Sequence, residues 1–252
     1  MNFTNKIVLV TGGSRGIGRS ISQQFAENGA RVAINYKKNL AAAEKTKASL
    51  NGGPHLIVQT DIGDSTAVQN MIDQVVSEMG GLDIVVNNAG IFEEHPAHSV
   101  TYDQWQDKWD RTLKTNLIGP ANLCYFAVQH FLKQGGGRIV NVGSRGAFRG
   151  EPDSPAYGAS KAGLHAMGQS LAKSLAPFNI FVHNVAPGFV ETEMAVEDLK
   201  GKKGDEIRGQ SPLNRVAKPE EIAHTVLFLA SKETEFLTGC IVDVNGASYL
   251  RT

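Results

Sequence analysis

Tyr157 and Lys161 are the residues of this sequence best suited to acid–base chemistry. They lie four residues apart, and on a helix that spacing puts two side chains on one face, one turn apart. A phenol has a reference pKa of about 10, and a fixed ammonium nearby favours the phenolate and lowers that pKa. A tyrosine so placed can pass a proton to or from an alcohol oxygen near neutral pH. The spacing alone is weak evidence for catalysis, because helices often carry a packed tyrosine and a solvated lysine four residues apart.

A helix has to hold this pair, and the surrounding sequence predicts one. Pro155 suits the first helical position, Asp153 or Ser154 suits the N-cap, and an apolar periodic pattern continues to Leu175. Ser144 follows a short apolar run thirteen residues before Tyr157. We expect Ser144 at the carboxyl end of a strand, opening into the same crevice as Tyr157.

A glycine-rich turn near the start of the sequence points to a dinucleotide. A buried-strand pattern over residues 6–11 runs into Gly12-Gly-Ser-Arg-Gly-Ile-Gly18, and a helical pattern follows. Glycines let the backbone approach a pyrophosphate, and the helix N-terminus offers free N–H groups. The spacing is Gly-x-x-x-Gly-x-Gly and not the usual Gly-x-Gly-x-x-Gly. A tight turn without a ligand is the alternative, but the place between strand and helix favours nucleotide binding.

The end of the second predicted strand bears on the choice of cofactor. An acidic residue often ends this strand and binds the ribose 2′-OH of NAD. Here the strand ends in Asn35-Tyr36-Lys37-Lys38, and Arg15 lies in the glycine loop. A 2′-phosphate would suit these cations, so the sequence favours NADP(H), with NAD(H) as the alternative. Either lysine could instead be a solvated loop residue.

Strand and helix patterns alternate along the whole chain. This order predicts an α/β fold: a single-domain, Rossmann-like, doubly wound parallel sheet of about seven strands with helices on both faces. No linker or repeat interrupts it, so we expect one domain over residues 1–252. Residues 189–214 are polar and glycine-dotted, which is typical of a mobile substrate lid. The expected strands lie at residues 6–11, 31–36, 55–60, 82–86, 138–142, 178–186 and 240–244, and the expected helices include 40–50, 65–79, two segments in 102–134, and 219–231.

Composition excludes several classes of function. The formal net charge is zero and no long run of one sign occurs, so neither nucleic acid nor a membrane surface is an expected partner. No export signal or membrane-length apolar run is apparent, and we expect a cytoplasmic protein with Cys124 and Cys240 as buried, reduced thiols.

His95 and His98 are treated as exposed loop histidines and not as metal ligands, because no further ligand joins them.

In order and spacing, Thr11–Gly18, Asn87-Asn-Ala-Gly90, Asn116, Ser144, the Tyr157/Lys161 pair and Pro187-Gly188…Thr192 resemble the short-chain dehydrogenase/reductase family. The resemblance covers the chain and is nearest to bacterial 3-oxoacyl-thioester (acyl-carrier-protein) reductases and to sugar or alcohol dehydrogenases. It implies that Tyr157 is the acid/base, that Ser144 hydrogen-bonds the reacting oxygen, and that Lys161 and Asn116 form a proton relay. It also implies cofactor contacts at Gly12, Ser14, Arg15, Ile17, Gly18, Asn35, Tyr36, Lys37, Asp61, Ile62, Asn88, Ala89, Gly90, Tyr157, Lys161, Pro187, Gly188, Val190 and Thr192.

The substrate is less defined by this resemblance. Reductases that act on acyl carrier protein commonly carry basic residues before the fifth and sixth strands, where this sequence has Gly135 and Phe178, so a carrier-linked substrate is allowed but not favoured. Arg145 and Arg149 could face the pocket and meet an anionic substrate, although arginines more often lie on the surface.

The leading hypothesis is an NADP(H)-dependent ketone reductase or secondary-alcohol dehydrogenase. The alternatives are an NAD(H)-dependent sugar or polyol dehydrogenase and a non-catalytic dinucleotide-binding sensor. A homotetramer is the expected assembly.

Overall fold

One parallel sheet of seven strands forms the centre of the computed structural model, which describes residues 1–193 and 195–251. Residue 194, inside the predicted lid, and residue 252 lie outside the described part. The strands are β1 (Ile7–Val10), β2 (Arg31–Tyr36), β3 (Leu56–Gln59), β4 (Ile84–Asn87), β5 (Gly137–Val142), β6 (Ile180–Pro187) and β7 (Ile241–Val244). They lie in the order β3-β2-β1-β4-β5-β6-β7, and all neighbours pair in parallel. The predicted doubly wound sheet is confirmed.

Helices cover both faces of the sheet. Val8 and Val10 of β1 pack into a core on one face, whereas Ile7 and Leu9 pack into a second core on the other. Such alternation follows from the two-residue period of a strand, and burial on both faces explains the continuous apolar runs. The helices are α1 (Gly16–Glu27), α2 (Leu40–Ala48), α3 (Ser65–Met79), α4 (Tyr102–Leu113), α5 (Gly119–Gln134), α6 (Gly146–Arg149), α7 (Pro155–Leu175), α8 (Gly201–Gly209) and α9 (Pro219–Ala230).

Helix α7, which carries Tyr157 and Lys161, lies close against a row of buried asparagines. The Nδ2 atom of Asn87 donates to Oδ1 of Asn141 at 2.9 Å, and Nδ2 of Asn141 donates to Oδ1 of Asn184 at 3.0 Å. These three residues therefore link β4, β5 and β6. A Cβ atom on Gly168 would lie 2.1 Å from Oδ1 of Asn184, so only glycine at this position allows α7 to approach the strands so closely.

The structure refines several local expectations. The two helical segments in 102–134 are separated by a π-helix, Lys114–Ile118, which contains Asn116. Ser154 occupies the N-cap position of α7, as expected, but its side chain accepts no capping bond; its hydroxyl donates to the carbonyl of Glu93 at 3.1 Å. Cys124 is buried as expected, whereas Cys240 is partly exposed, and both thiols are free. Among the described residues, no helix is long and apolar enough to cross a membrane.

Candidate active site

The glycine loop between β1 and α1 leaves room for a ligand beside the backbone. Gly12 and Gly16 have φ angles of +60° and +51°, which side chains strongly disfavour. A Cβ atom on Gly18 would lie 2.2 Å from the carbonyl oxygen of Gly12. Arg15 is the N-cap of α1 without a side-chain cap bond, and the first turn holds no acidic residue. Free N–H groups at a helix N-terminus beside a side-chain-free cradle fit a pyrophosphate.

Two asparagine amides hold this loop in shape. Oδ1 of Asn35 accepts from the Gly12 N–H at 3.2 Å, and its Nδ2 donates to the carbonyl of Thr60 at 3.1 Å. Nδ2 of Asn88 donates to the Thr11 carbonyl at 2.9 Å, while the Thr11 hydroxyl accepts from the backbone of Ala89 at 3.1 Å. The side chains of Asn35 and Asn88 are thus directed at the loop backbone, and direct cofactor contacts by Asn35, Asn88 and Ala89 stay predictions.

The end of β2 presents a pair of opposite charges. Lys37 and Asp61 form a salt bridge of 2.6 Å, and both side chains are about half exposed. Partial burial alone would raise the pKa of Asp61, but the Lys37 ammonium and the Gly63 N–H hold it below its ordinary value. Tyr36 and Ile62 are buried beside this pair, whereas Arg15 is exposed. Lys37 is therefore partly neutralised, and Arg15 is the stronger candidate for a 2′-phosphate.

Residues 187–192 lie at the carboxyl end of β6, across the crevice from the glycine loop. A Cβ on Gly16 would be 3.2 Å from Cγ2 of Thr192, and a Cβ on Gly188 would be 3.0 Å from Cα of Asn245. Arg19 of α1 forms an ion pair with Glu193. The two sides of the predicted cofactor crevice are therefore in contact. The remaining predicted contacts are Ser14 in the glycine loop, Ile17 in the first turn of α1, Gly90 after β4, Pro187 at the end of β6 and Val190 just beyond it. Of these, Ser14, Pro187 and Val190 are buried.

The four predicted catalytic residues are brought together where β4 and β5 end. Lys161 is 4% exposed, and its Nζ donates to the carbonyl of Val142 at 2.9 Å. Nζ lies 5.8 Å from the centre of the Tyr157 ring, and the Ser144 side chain lies close enough to Tyr157 to oppose the rise of its pKa. A phenol, a hydroxyl and an ammonium therefore share one crevice, an arrangement suited to proton transfer.

Asn116 reaches this group from the π-helix. It is fully buried, its Oδ1 accepts from the Ile91 N–H, and its Nδ2 donates to the Ile91 carbonyl, each at 2.9 Å. A Cβ on Gly90 would lie 3.4 Å from both Oδ1 of Asn116 and Nζ of Lys161. Single-turn π-helices are frequent at functional sites, and this one places Asn116 beside Lys161.

The pKa values of Tyr157 and Lys161 move in opposite directions. Burial raises the pKa of Tyr157; the hydrogen bond from Ser144 opposes the shift and the Glu151 carboxylate adds to it. Burial lowers the pKa of Lys161 to about 8. The expected lowering of the Tyr157 pKa by Lys161 is wrong for this structure, because Nζ is bonded to Val142 and not to the phenol. Tyr157 is therefore protonated near neutral pH.

The wall around Tyr157 contains residues that the sequence reasoning missed. The Phe92 ring meets the Tyr157 ring edge-on, with 5.0 Å between centres. Oε1 of Glu151 would lie 2.6 Å from a Cβ on Gly146, two residues after Ser144. The only sequence signal for Phe92 and Glu151 was their position in loops that follow β4 and β5.

His95 and Arg145 differ from what the sequence suggested. His95 is buried and not exposed: its Nδ1 bonds the Glu93 carbonyl at 2.7 Å, and its Nε2 accepts from the Ala156 N–H at 3.3 Å. It thereby fixes the loop after β4 to the start of α7. Arg145 is 3% exposed and so is not a surface arginine.

Comparison with known proteins agrees with this geometry. The family profile described as "Enoyl-(Acyl carrier protein) reductase" matches residues 12–247. The chain is 39% identical over 249 residues to the 3-oxoacyl-[acyl-carrier-protein] reductase FabG of Staphylococcus aureus, covering 97% of this chain and 98% of that protein. It is 38% identical over 247 residues to an uncharacterised oxidoreductase of Thermotoga maritima, covering 96% and 94% of the two chains.

Solved structures give the same picture. A short-chain dehydrogenase from Burkholderia cenocepacia in complex with NADP has a TM-score of 0.89 and 35% identity, covering 98% of this chain and 99% of that one. A mutant short-chain dehydrogenase/reductase of Serratia marcescens has a TM-score of 0.90 and 33% identity, with the same coverage. The fold, the crevice and these relatives agree: the chain belongs to the short-chain dehydrogenase/reductase family, whose enzymes act on CH–OH and ketone groups.

Proposed function

We propose that this protein is an NADP(H)-dependent oxidoreductase that reduces a ketone to a secondary alcohol, or runs the reverse reaction, with a 3-oxoacyl thioester as one candidate substrate. The observation that carries the proposal is the meeting of Ser144, Tyr157, Lys161 and Asn116 in one crevice, beside a glycine cradle that fits a pyrophosphate.

Each of the four residues has a role that its surroundings support. The bound nicotinamide cofactor supplies or accepts the hydride. Tyr157 donates a proton to the substrate oxygen, which its raised pKa permits, and Ser144 hydrogen-bonds the same oxygen as charge develops there. Lys161 keeps N–H donors beyond the one used by Val142 and binds the nicotinamide ribose. Asn116 holds a water that relays protons to Lys161.

NADP(H) is the favoured cofactor and NAD(H) the alternative. No acidic residue ends β2 at residues 35–38, and Arg15 is exposed in the glycine loop. A relative of 35% identity was solved with NADP. Arg15 and Lys37 would bind the 2′-phosphate. Lys37 would contribute less than Arg15, because Asp61 pairs with it.

The substrate class has two competing candidates. Relatives of 36–39% identity are named 3-oxoacyl-[acyl-carrier-protein] reductases, which supports a thioester. The places where a basic rim would meet an acidic carrier hold Gly135 and the exposed Phe178, which disfavours the carrier-linked form. A sugar or polyol dehydrogenase is the second candidate, since the charged Glu151 beside Ser144 suits a polar substrate. A non-catalytic sensor is disfavoured because all four catalytic residues are present.

A homotetramer is the proposed assembly. One face of α5 carries large, exposed apolar residues spaced seven apart: Ile118, just before the helix, Tyr125 and Leu132. Phe178, three residues after the end of α7, is also exposed. Residues spaced seven apart share one helix face, and such a patch fits burial against another subunit. Sedimentation equilibrium of the wild type and of Tyr125→Glu tests this. A wild-type monomer would contradict it.

The reaction is tested by following NADPH and NADH consumption in parallel, with a short 3-oxoacyl thioester and a panel of simple ketones. NADPH-selective reduction of the thioester or of a ketone is the expected result. In Arg15→Gln the KM for NADPH should rise while the KM for NADH changes little. Arg31→Gln serves as the control, because Arg31 lies at the amino end of β2, away from the cofactor crevice. Oxidation of polyols with NAD⁺, together with no reduction of any carbonyl compound by NADPH, would overturn the proposal in favour of the alternative.

A further inference from the structure

Arg145 is a buried guanidinium without an ionic partner beside the catalytic serine. Its Nη2 donates to Oε1 of Gln210 at 2.5 Å, its Nη1 contacts the hydroxyl of Ser248, and its Cζ lies 5.3 Å from the centre of the Phe189 ring. Within the described part of the chain, Arg145 forms no salt bridge with a carboxylate. Its neighbours are therefore two neutral oxygens and a ring, although a buried charge normally has an ionic partner.

A second arginine converges on the same oxygen. Nη1 of Arg149 donates to Oε1 of Gln210 at 3.2 Å, so two cations share one neutral acceptor. Glu151 lies 3.7 Å from Nε of Arg149 and balances that charge in part. Burial, and then the charge of Arg149, lower the pKa of Arg145 to about 10, and the Glu151 carboxylate opposes this shift. The position now held by the Gln210 oxygen is thus surrounded by more positive charge than the protein itself neutralises.

Gln210 is the removable part of this arrangement. It is an exposed residue in the predicted lid of residues 189–214, and it covers Arg145 from the solvent side. The other two contacts of Arg145 come from Phe189, at the start of the lid, and from Ser248, after β7. A movement of the lid that withdraws Gln210 would uncover the guanidinium of Arg145, the residue that directly follows Ser144, whereas Arg149 is already exposed.

The same wall is poorly suited to a long alkyl chain. Arg145 directly follows Ser144 in the sequence, and Glu151 lies in the same loop after β5. Burying an alkyl chain against these two residues would remove water from their charges and give neither a new partner. A carboxylate would instead form charge-assisted bonds with the guanidinium fork.

We propose that the substrate is a short oxo acid or hydroxy acid whose carboxylate takes the place of the Gln210 oxygen and is bound by Arg145, with Arg149 as the second cation. This inference rests on the proposed reductase function and narrows its substrate class. The carboxylate is bound alike before and after reduction, so Arg145 contributes to substrate affinity and not to the chemical step.

The test compares each acid with its methyl ester, which has nearly the same shape but no charge. Wild-type protein with NADPH is given short 2-oxo, 3-oxo and 4-oxo acids, their methyl esters and a neutral ketone. For at least one pair the acid should have a kcat/KM about 10- to 100-fold above that of the ester, the effect of a charge-assisted hydrogen-bonded pair. Arg145→Met should remove this preference through KM. Arg31→Gln, which removes one positive charge at the amino end of β2, should retain the preference for the acid.

Gln210→Glu is the second variant and keeps Arg145 in place. It puts a carboxylate on both guanidinium groups, so it should compete with the substrate and lower kcat/KM for the acid more than for the ester. Esters or the ketone turned over as well as the acids by the wild type would overturn this inference and leave the reductase function intact. An acid preference that survives both Arg145→Met and Gln210→Glu would overturn the assignment to Arg145. No NADPH consumption with any carbonyl compound would overturn the proposed function and this inference together.

Discussion

Buried His165, one turn after Lys161 on α7, should make the protein sensitive to mild acid. The ring is 2% exposed and stacks on Phe148 with 5.2 Å between ring centres. Burial, and then the charge of Lys161, lower its pKa from 6.5 to about 4. The unfolded chain therefore binds a proton below pH 6.5 that the folded protein does not bind until about pH 4. Stability is complete above pH 6.5 and falls with pH through this window.

The size of the effect follows from that difference. Each pH unit in the window costs about 1.4 kcal/mol of unfolding free energy per histidine, or about 2 kcal/mol between pH 6.5 and pH 5. In His165→Gln the free energy of unfolding should therefore fall about 2 kcal/mol less between pH 7 and pH 5 than in the wild type. A loss of stability in the variant at pH 7 does not affect this comparison, because the measured quantity is the change in unfolding free energy between pH 7 and pH 5.

Urea unfolding at fixed protein concentration, followed by tryptophan fluorescence at pH 7, 6 and 5, measures these differences. His224→Gln is the control, since His224 is an exposed histidine on α9 and its loss should leave the pH dependence as in the wild type. His183, whose pKa burial also lowers to about 4, should give a second, additive effect. An equal loss of stability in His165→Gln and wild type between pH 7 and pH 5 would refute the reasoning.

Three further predictions concern the crevice and its support. Gly18→Ala, whose Cβ would lie 2.2 Å from the Gly12 carbonyl, should weaken NADPH binding roughly tenfold or more in a fluorescence titration; Gly209→Ala, with open space around it, should not. Alcohol oxidation should rise about tenfold per unit from pH 6 to 8, because the raised pKa of Tyr157 leaves little phenolate, while reduction stays level; a flat oxidation profile would contradict this. Asn141→Leu leaves Asn87 and Asn184 without their partner and should cost about 2–4 kcal/mol in denaturant unfolding; a loss below about 1 kcal/mol would count against the role of this asparagine row.

The fold could be predicted from the sequence because its signals are local. Continuous apolar runs such as that of β1, whose four residues are all buried, indicate strands covered on both faces. Because parallel strands share a carboxyl edge, the positions of Ser144 and Gly90 after two neighbouring strands were enough to place them in one crevice.

The missed features depend on contacts between distant parts of the chain. Ser154 takes the expected N-cap position but accepts no capping bond, and its hydroxyl points to the carbonyl of Glu93, which only the folded loop brings near. His95 is buried because Trp105 and the start of α7 pack around it. The direction of the Tyr157 pKa shift depends on burial and on Glu151, neither of which spacing along a helix reveals.

The central claim is that Tyr157 transfers the proton, and Tyr157→Phe tests it most directly. The measurement is NADPH oxidation with the best carbonyl substrate of the wild type, together with the Kd for NADPH. The kcat should fall about 10²- to 10⁴-fold, the usual contribution of a positioned acid or base, with the Kd changed only slightly. Tyr102→Phe, which removes an exposed phenol, should behave as the wild type. Turnover by Tyr157→Phe at the wild-type rate would contradict the claim.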